Sequence, residues 1–266
     1  MKFALINGQR QEAQPNLKGV CVGCGSPTLA RCGEVRVHHW AHQGERRCDT
    51  WWENETDWHR AWKNRFPSDW QEIIHYANEG EKHISDVKTN KGWFIEFQHS
   101  HIKPDERRSR EDFYKKLIWI VDGKRRIRDE KQFVEAVRQS RGNWIDNNKY
   151  PELHSLFQPE GALFRDWMTS TSYVFFDFGG VDLWGLLPQS NDEWALILPI
   201  TRRQFIEFHI EELESGENKF ETFFKNYDLK PPEPYRAPQK TLTTDVGNIH
   251  PNTILRLMNN RGRFRL

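Results

Sequence analysis

Two acids on neighbouring apolar strands are the residues of this chain best placed to do chemistry. The runs His83–Thr89 and Trp93–Ser100 flank Asn90-Lys91-Gly92, a three-residue hairpin loop with a glycine available for the left-handed position. That register sets Thr89 opposite Trp93 and, counting back, Asp86 opposite Glu96. Like charges directly across a ladder repel, so such a pair is either bathed in water or used to hold a cation. The neighbouring residues are too apolar for an exposed hairpin, which favours the cation. Alternation puts Glu96, Gln98 and Ser100 on one face, with Ile95 and Phe97 on the other. Two carboxylates with an amide oxygen beside them suit a hard divalent ion such as Mg²⁺ or Mn²⁺.

A second group is the cysteines and histidines near the N-terminus. Cys21-Val-Gly-Cys24, His39-Trp-Ala-His42 and Cys48 offer five ligands with zinc-like spacing, one more than zinc needs. Strand alternation keeps His39 and His42 from facing one ion unless a turn separates them. The set is therefore Cys21, Cys24, one of those histidines, and either the other histidine or Cys48. Cys32 is off-pattern. All four cysteines lie in the first fifth of the chain, a crowding that in a reducing compartment argues for metal over disulfides.

Several elements must position these residues. A helix is expected from about Asn54 to Phe66, ended by Pro67. Trp58, Trp62 and Phe66 give it an apolar face, and Glu55, His59 and Lys63 form a second stripe about 100° round. Strands follow at Gln71–Tyr76, His83–Thr89 and Trp93–Ser100, then a helix opened by Pro104 and running to about Lys116, then a buried strand over Leu117–Val121. Arg107, Arg110 and Tyr114 share one face of that second helix. For Arg107 alone a solvated face is the expectation.

A helix bearing Glu, strands bearing Asp and then Glu-x-Gln, a helix and a strand resemble the PD-(D/E)XK nuclease core. More narrowly, His39-Trp-Ala-His42, Glu55-x-x-x-His59-x-x-x-Lys63, Ser85-Asp-Val87 with Ile95-Glu-Phe-Gln-His-Ser100, and Arg110-x-x-x-Tyr114 resemble the competence protein CoiA-like nuclease family over roughly residues 18–122. The resemblance implies metal-dependent hydrolysis of DNA phosphodiesters in DNA uptake, processing or defence. Asp86 and Glu96 would ligate a catalytic Mg²⁺ or Mn²⁺, helped by Glu55, with His59 orienting Glu55 or water. Gln98 stands where many relatives carry lysine and brings no charge, so it would orient water or phosphate, and Lys63, Arg110 and Tyr114 would meet the substrate. RNA as substrate stays open, as does a zinc-containing nucleic-acid or protein-binding module with a vestigial nuclease fold.

The implied fold is α/β (α+β): a PD-(D/E)XK-type αβββαβ core at 51–139, an N-terminal zinc-binding module at 1–50, and a C-terminal α+β extension at 150–228. A Pro-rich linker and basic tail fill 229–266. Strand runs are expected at Tyr173–Phe178, Val181–Leu187 and Trp194–Ile200, with helices over 129–139 and from Arg202 to about Leu213. Residues 150–266 could serve a homodimer or protein partner. The formal net charge of +1 gives no global footprint for a polyanion, so any nucleic-acid contact must come from local patches. Lys124–Arg128 and the arginines of the tail are candidate patches, though short charge runs are more often solvated loops. No apolar run reaches the length that crosses a bilayer, so a cytoplasmic chain with no membrane partner is expected.

Overall fold

The computed structural model describes residues 1–44, 48, 49, 51, 55–76, 80–139, 145, 146, 148–211 and 216–232. The Arg-rich tail and most of the Pro-rich linker lie outside them, as do most of the polar 140–150 boundary and the end of the helix expected to reach Leu213. The described chain is mixed α+β with two sheets. No described helix is long and apolar enough to cross a membrane.

Five short strands, β1 (Phe3–Ile6), β2 (Gln9–Glu12), β3 (Lys18–Val20), β4 (Pro27–Arg31) and β5 (His39–His42), form an antiparallel sheet in the order β2-β1-β3-β4-β5. Its core is small, built on Ala4, Ala13 and Trp40. After it come α1 (Asp57–Lys63), β6 (Gln71–Tyr76), β7 (Lys82–Lys88), β8 (Phe94–Gln98), α2 (Pro104–Tyr114) and β9 (Leu117–Asp122), the expected order of elements. Strands β6, β7 and β8 pair antiparallel, and β9 lies parallel to β8 because α2 crosses over between them.

The remaining elements are α3 (Asp129–Arg138), β10 (His154–Phe157), α4 (Ala162–Trp167), β11 (Tyr173–Asp177), β12 (Asp182–Leu186), β13 (Trp194–Thr201), α5 (Arg202–Ile210) and α6 (Lys219–Lys225). Here the domain boundaries expected from composition are not followed. Strand β11 pairs parallel with β9, so the segment assigned to a C-terminal extension continues the same sheet, β10-β13-β12-β11-β9-β8-β7-β6. Met1–Pro232 accordingly clusters as one unit.

Both faces of this eight-stranded sheet are covered, which is why β9 reads as an unbroken apolar run. Ile118 and Ile120 point to a core shared with Trp62 of α1, Phe205 of α5 and Phe220 and Phe224 of α6. Leu117, Trp119 and Val121 point to the other core, with Tyr114 of α2, Phe133 of α3 and Trp167 of α4. Alternation along one strand thus binds helices on opposite sides into a single fold.

One histidine of the first core is without partners. His209 on α5 is buried among Phe66, Phe205 and Phe220, and among the described residues neither ring nitrogen has a hydrogen-bond partner. Burial pushes its pKa down from 6.5 to about 3, so the folded state holds it neutral. Below about pH 6.5 the unfolded chain takes up a proton that the folded chain refuses, and stability is lost as pH falls from there toward 3. His209→Phe is expected to stabilise the fold by about 1–2 kcal/mol by removing unpaired polar atoms. Urea unfolding at pH 7.5 and 5.5 should show a smaller acid loss in the variant; equal losses would refute the assignment.

Candidate functional site

The hairpin between β7 and β8 closes as its loop residues require. Thr89 N donates to Trp93 O at 2.8 Å, Gly92 N donates to Thr89 O at 3.0 Å, and Gly92 has φ +80°. Val87 pairs with Ile95 and Lys88 with Phe94, the register that sets Asp86 across from Glu96. Pairing stops at that point. Asp86 N donates to Glu96 Oε1 at 3.2 Å, and Phe97 N donates to Asp86 Oδ2 at 3.0 Å. Each carboxylate thus takes a backbone N–H from the opposite strand, and the strands part around them.

A third acid extends the row. Gln71 pairs with Val87 and Ile73 with Ser85, so Glu72 on β6 sits at the register position of Asp86. Its backbone is left-handed, φ +49°, which for a non-glycine residue costs about 1–2 kcal/mol. Its carboxylate accepts from Lys2 N at 2.6 Å and Phe3 N at 3.0 Å, which joins the N-terminal sheet to the site. Sequence reading missed Glu72 because the strands β6 and β7 are five residues apart in sequence, with no two- or three-residue loop to fix their register.

Helix α1 supplies the counter-charges. Thr56 caps it by accepting from His59 N, and Glu55, His59 and Lys63 face the sheet as one stripe. His59 Nε2 donates to Asp86 Oδ2 at 2.8 Å. Lys63 Nζ lies 2.8 Å from Glu55, 2.9 Å from Glu72 and 3.8 Å from Asp86 Oδ1. Arg60, also missed from sequence, grips both oxygens of Glu55 at 2.8 and 2.7 Å. From α2, Arg110 lies 3.4 Å from Glu96 Oε2 and donates to Trp51 O at 2.7 Å. Apart from Arg60, these charged groups line a small cavity of about 80 Å³.

The charges inside it are unevenly matched. Burial opposes ionisation of Glu55, Glu72 and Asp86, yet Lys63, with Arg60 for Glu55 and His59 for Asp86, holds all three below the usual carboxylate range. The same three acids hold Lys63 protonated against its burial. Glu96 behaves oppositely. Burial and the charge of Asp86 raise its pKa well above normal, and Arg110 does not compensate. Among the described residues Asp86 Oδ1 has no hydrogen-bond donor, although the carboxylate is largely buried. A divalent cation fits Asp86 and Glu96 on charge and donor type, whereas Glu55 is committed to Arg60 and Lys63.

Two expected site residues fall elsewhere, and Arg107 departs from its expected place on the surface. The Gln98 amide turns to Ser100, 3.1 Å from its carbonyl oxygen, and does not line the cavity. Tyr114 is buried against Phe94, Phe113 and Trp51 and packs the second core, and it does not line the cavity. Arg107, expected on a solvated face, is 1% exposed, donating to Thr169 Oγ1 at 2.7 Å and lying 3.7 Å from Glu111. A buried guanidinium needs such partners, and α4 and the turn after it provide them. In the Lys124–Arg128 run, Arg126 is tied to Asp129 and Asp166, and Arg125 to Ser100 O and Asp166.

The cysteine-rich module holds a second centre. Cys21, Cys24, His42 and Cys48 bring one ligand atom each to within 4.8 Å of one another, a Cys₃His set that could hold a zinc ion. Cys24 Sγ and Cys48 Sγ lie 3.3 and 3.6 Å from His42 Nε2. His39 is excluded, since its Nδ1 turns back to Val37 O at 2.8 Å, as alternation along β5 requires. Cys32 packs on the small core of the N-terminal sheet. The centre is anchored to β7, the strand of Asp86. A Cβ at Gly23 would meet Ile84 Cδ1 at 3.0 Å, and Asp49, next to Cys48, accepts from Ile84 N and His83 Nδ1 at 2.9 Å each.

Elemental analysis should find one zinc per chain. Cys24→Ser or His42→Ala should lose it and melt lower by on the order of 10 °C, whereas Cys32→Ser and His39→Ala should keep it. Zinc lost from His39→Ala but retained by His42→Ala would overturn the ligand set. In the cleft, Lys63→Met should cost about 3–5 kcal/mol in urea unfolding by stranding buried carboxylates. Adding Glu72→Gln should recover part of that loss; a strictly additive double variant would contradict the ion pair.

The chain matches no protein-family model, no curated protein and no solved structure.

Proposed function

We propose that this cleft is the active site of a divalent-metal-dependent nuclease of the PD-(D/E)XK type, similar to the CoiA-like family and acting on DNA. The observation that carries the reading is the Asp86–Glu96 pair: two largely buried acids facing each other where β7 and β8 part, with burial and the charge of Asp86 raising the pKa of Glu96. The order α1-β6-β7-β8-α2-β9, with its antiparallel, antiparallel and parallel pairings, supports it.

A Mg²⁺ or Mn²⁺ ion bound there would supply charge stabilisation for the phosphate and a more acidic water. Asp86 and Glu96 would hold it, with Asp86 Oδ1 the oxygen left for the purpose. His59 fixes Asp86 by its hydrogen bond to Oδ2. Lys63, positioned by Glu55 and Glu72, brings to the cleft the positive charge that Gln98 lacks. Arg110 stands on the far side of Glu96, where it is shared with Glu106. Glu55 therefore acts here as a positioning residue for Lys63.

A second reading rests on one specific observation. Glu55, Glu72 and most oxygens of Asp86 and Glu96 already have protein partners, an arrangement that would also suit a zinc-containing nucleic-acid-binding module without turnover. The two readings separate in a cleavage assay on single- and double-stranded DNA and RNA, with and without Mn²⁺ or Mg²⁺. Metal-dependent cleavage of DNA is expected, falling at least about 100-fold in Asp86→Ala and Glu96→Ala while zinc content and melting stay near wild type. Tight binding with no turnover would favour the second reading, and undiminished cleavage by both variants would sink the site assignment.

A further inference from the structure

Helix α1 has a second face, and that face opens a different cavity. Trp58, Ala61, Trp62 and Arg65 recur at spacings of three and four and meet Arg202, Arg203 and Ile206 of α5 across a groove of about 480 Å³. That volume lies within the range of small-ligand sites. Its walls are built in an unusual way. Trp58 Nε1 and Trp62 Nε1 both donate to Asp177 Oδ2, at 3.0 and 2.8 Å, and Arg202 pairs with Asp177 Oδ1. Asp177 is 1% exposed, so one buried carboxylate turns the polar edges of two indoles inward and fixes both rings. What remains for the groove is the half-buried indole of Trp58 and the side chain of Ile206, since Trp62 is buried between Phe97 and Arg202.

The rim is cationic. Arg202 stacks 5.2 Å from the Trp62 ring, and Arg203 pairs with Glu207 at 2.5 Å. Arg65 is exposed, and among the described residues no carboxylate pairs with it. The Trp58 indole, with the unmatched guanidinium of Arg65 on the same groove, suits a planar ring carrying an anion, which describes a nucleotide better than an aliphatic ligand. The groove also adjoins the cleft. The Trp58 ring lies 6.4 Å from that of His59, which donates to Asp86, so the two sites share α1 as their common wall.

We propose that the groove between α1 and α5 seats an unpaired nucleobase of a polynucleotide, with a neighbouring phosphate on Arg65. The inference rests on the nuclease reading for its choice of ligand, and it gives that reading a substrate class: single strands or frayed ends, since a base inside a duplex cannot enter.

Binding can be tested apart from cleavage. The full chain is titrated, without added Mg²⁺ or Mn²⁺, into a labelled twelve-nucleotide oligo(dT), an abasic oligomer of equal length and a blunt hairpin duplex, read by fluorescence anisotropy. Oligo(dT) is expected to bind about tenfold more tightly than the abasic strand. Arg65→Glu should weaken binding of both strands, whereas Ala61→Trp, which fills the groove from an exposed position, should remove only the preference for bases. Equal affinity for oligo(dT) and the abasic strand, or a preference untouched by Ala61→Trp in a variant that melts like wild type, overturns the proposal. Metal-dependent cleavage that persists alongside that negative result leaves the nuclease reading standing and removes the groove alone. Base-dependent binding without cleavage on any substrate does the reverse.

Discussion

Three carboxylates at one level of three adjacent strands are the constraint to which the rest of the structure answers. Glu72, Asp86 and Glu96 follow from the registers of β6 with β7 and β7 with β8, and like charges so placed repel. The sheet cannot hold them without cations brought from outside its plane. That requirement fixes where α1 and α2 lie: α1 must deliver Lys63 and His59 over β6 and β7, and α2 must deliver Arg110 over β8. It also explains the local backbone. The β7–β8 ladder gives way where side-chain oxygens displace backbone acceptors, and Glu72 adopts a left-handed φ in a strand.

The N-terminal sheet answers to a different shortage. Its strands are short and polar, and its core amounts to Ala4, Ala13 and Trp40 with partly buried neighbours. A sheet of that size buries too little apolar surface to be stable alone. Two devices compensate. Lys2 and Phe3 anchor it through Glu72, and the Cys₃His centre ties its far end to β7. Both anchors end on strands that carry acids of the cleft, so loosening the module would disturb the carboxylate row directly.

How much was legible in the sequence follows from how local each determinant is. The Asp86–Glu96 register was readable because a three-residue loop with Gly92 leaves one way to close the hairpin. The pairing of His59 with Lys63 on one face was readable from helical spacing, with Glu55 joining them from just before the N-cap, whereas strand alternation set His39 against His42 and left the fourth ligand open between a second histidine and Cys48. Non-local pairing was not readable. Nothing near Tyr173 says that it will lie parallel to Ile118, so one sheet read as two domains. Charge misled in the same way: Arg107 reads as solvated until Thr169 and Glu111 are seen to enclose it, and Gln98 reads as part of the site until its amide is seen to turn to Ser100.

The charge balance of the cleft narrows what could enter it. Asp49 accepts from His83 and Ile84, while Glu55, Glu72, Asp86 and Glu96 face Lys63, Arg60, His59 and Arg110, the last shared with Glu106. Glu96 is the acid of this group whose pKa rises well above normal, because burial and the charge of Asp86 outweigh Arg110. Under the nuclease reading proposed above, a divalent cation between Asp86 and Glu96 would let Glu96 ionise, and a phosphate anion would in turn offset charge of that ion away from bulk water. Ion and substrate would then each make the other's binding more favourable, and neither Asp86 nor Glu96 could be neutralised by substitution without losing that reciprocity.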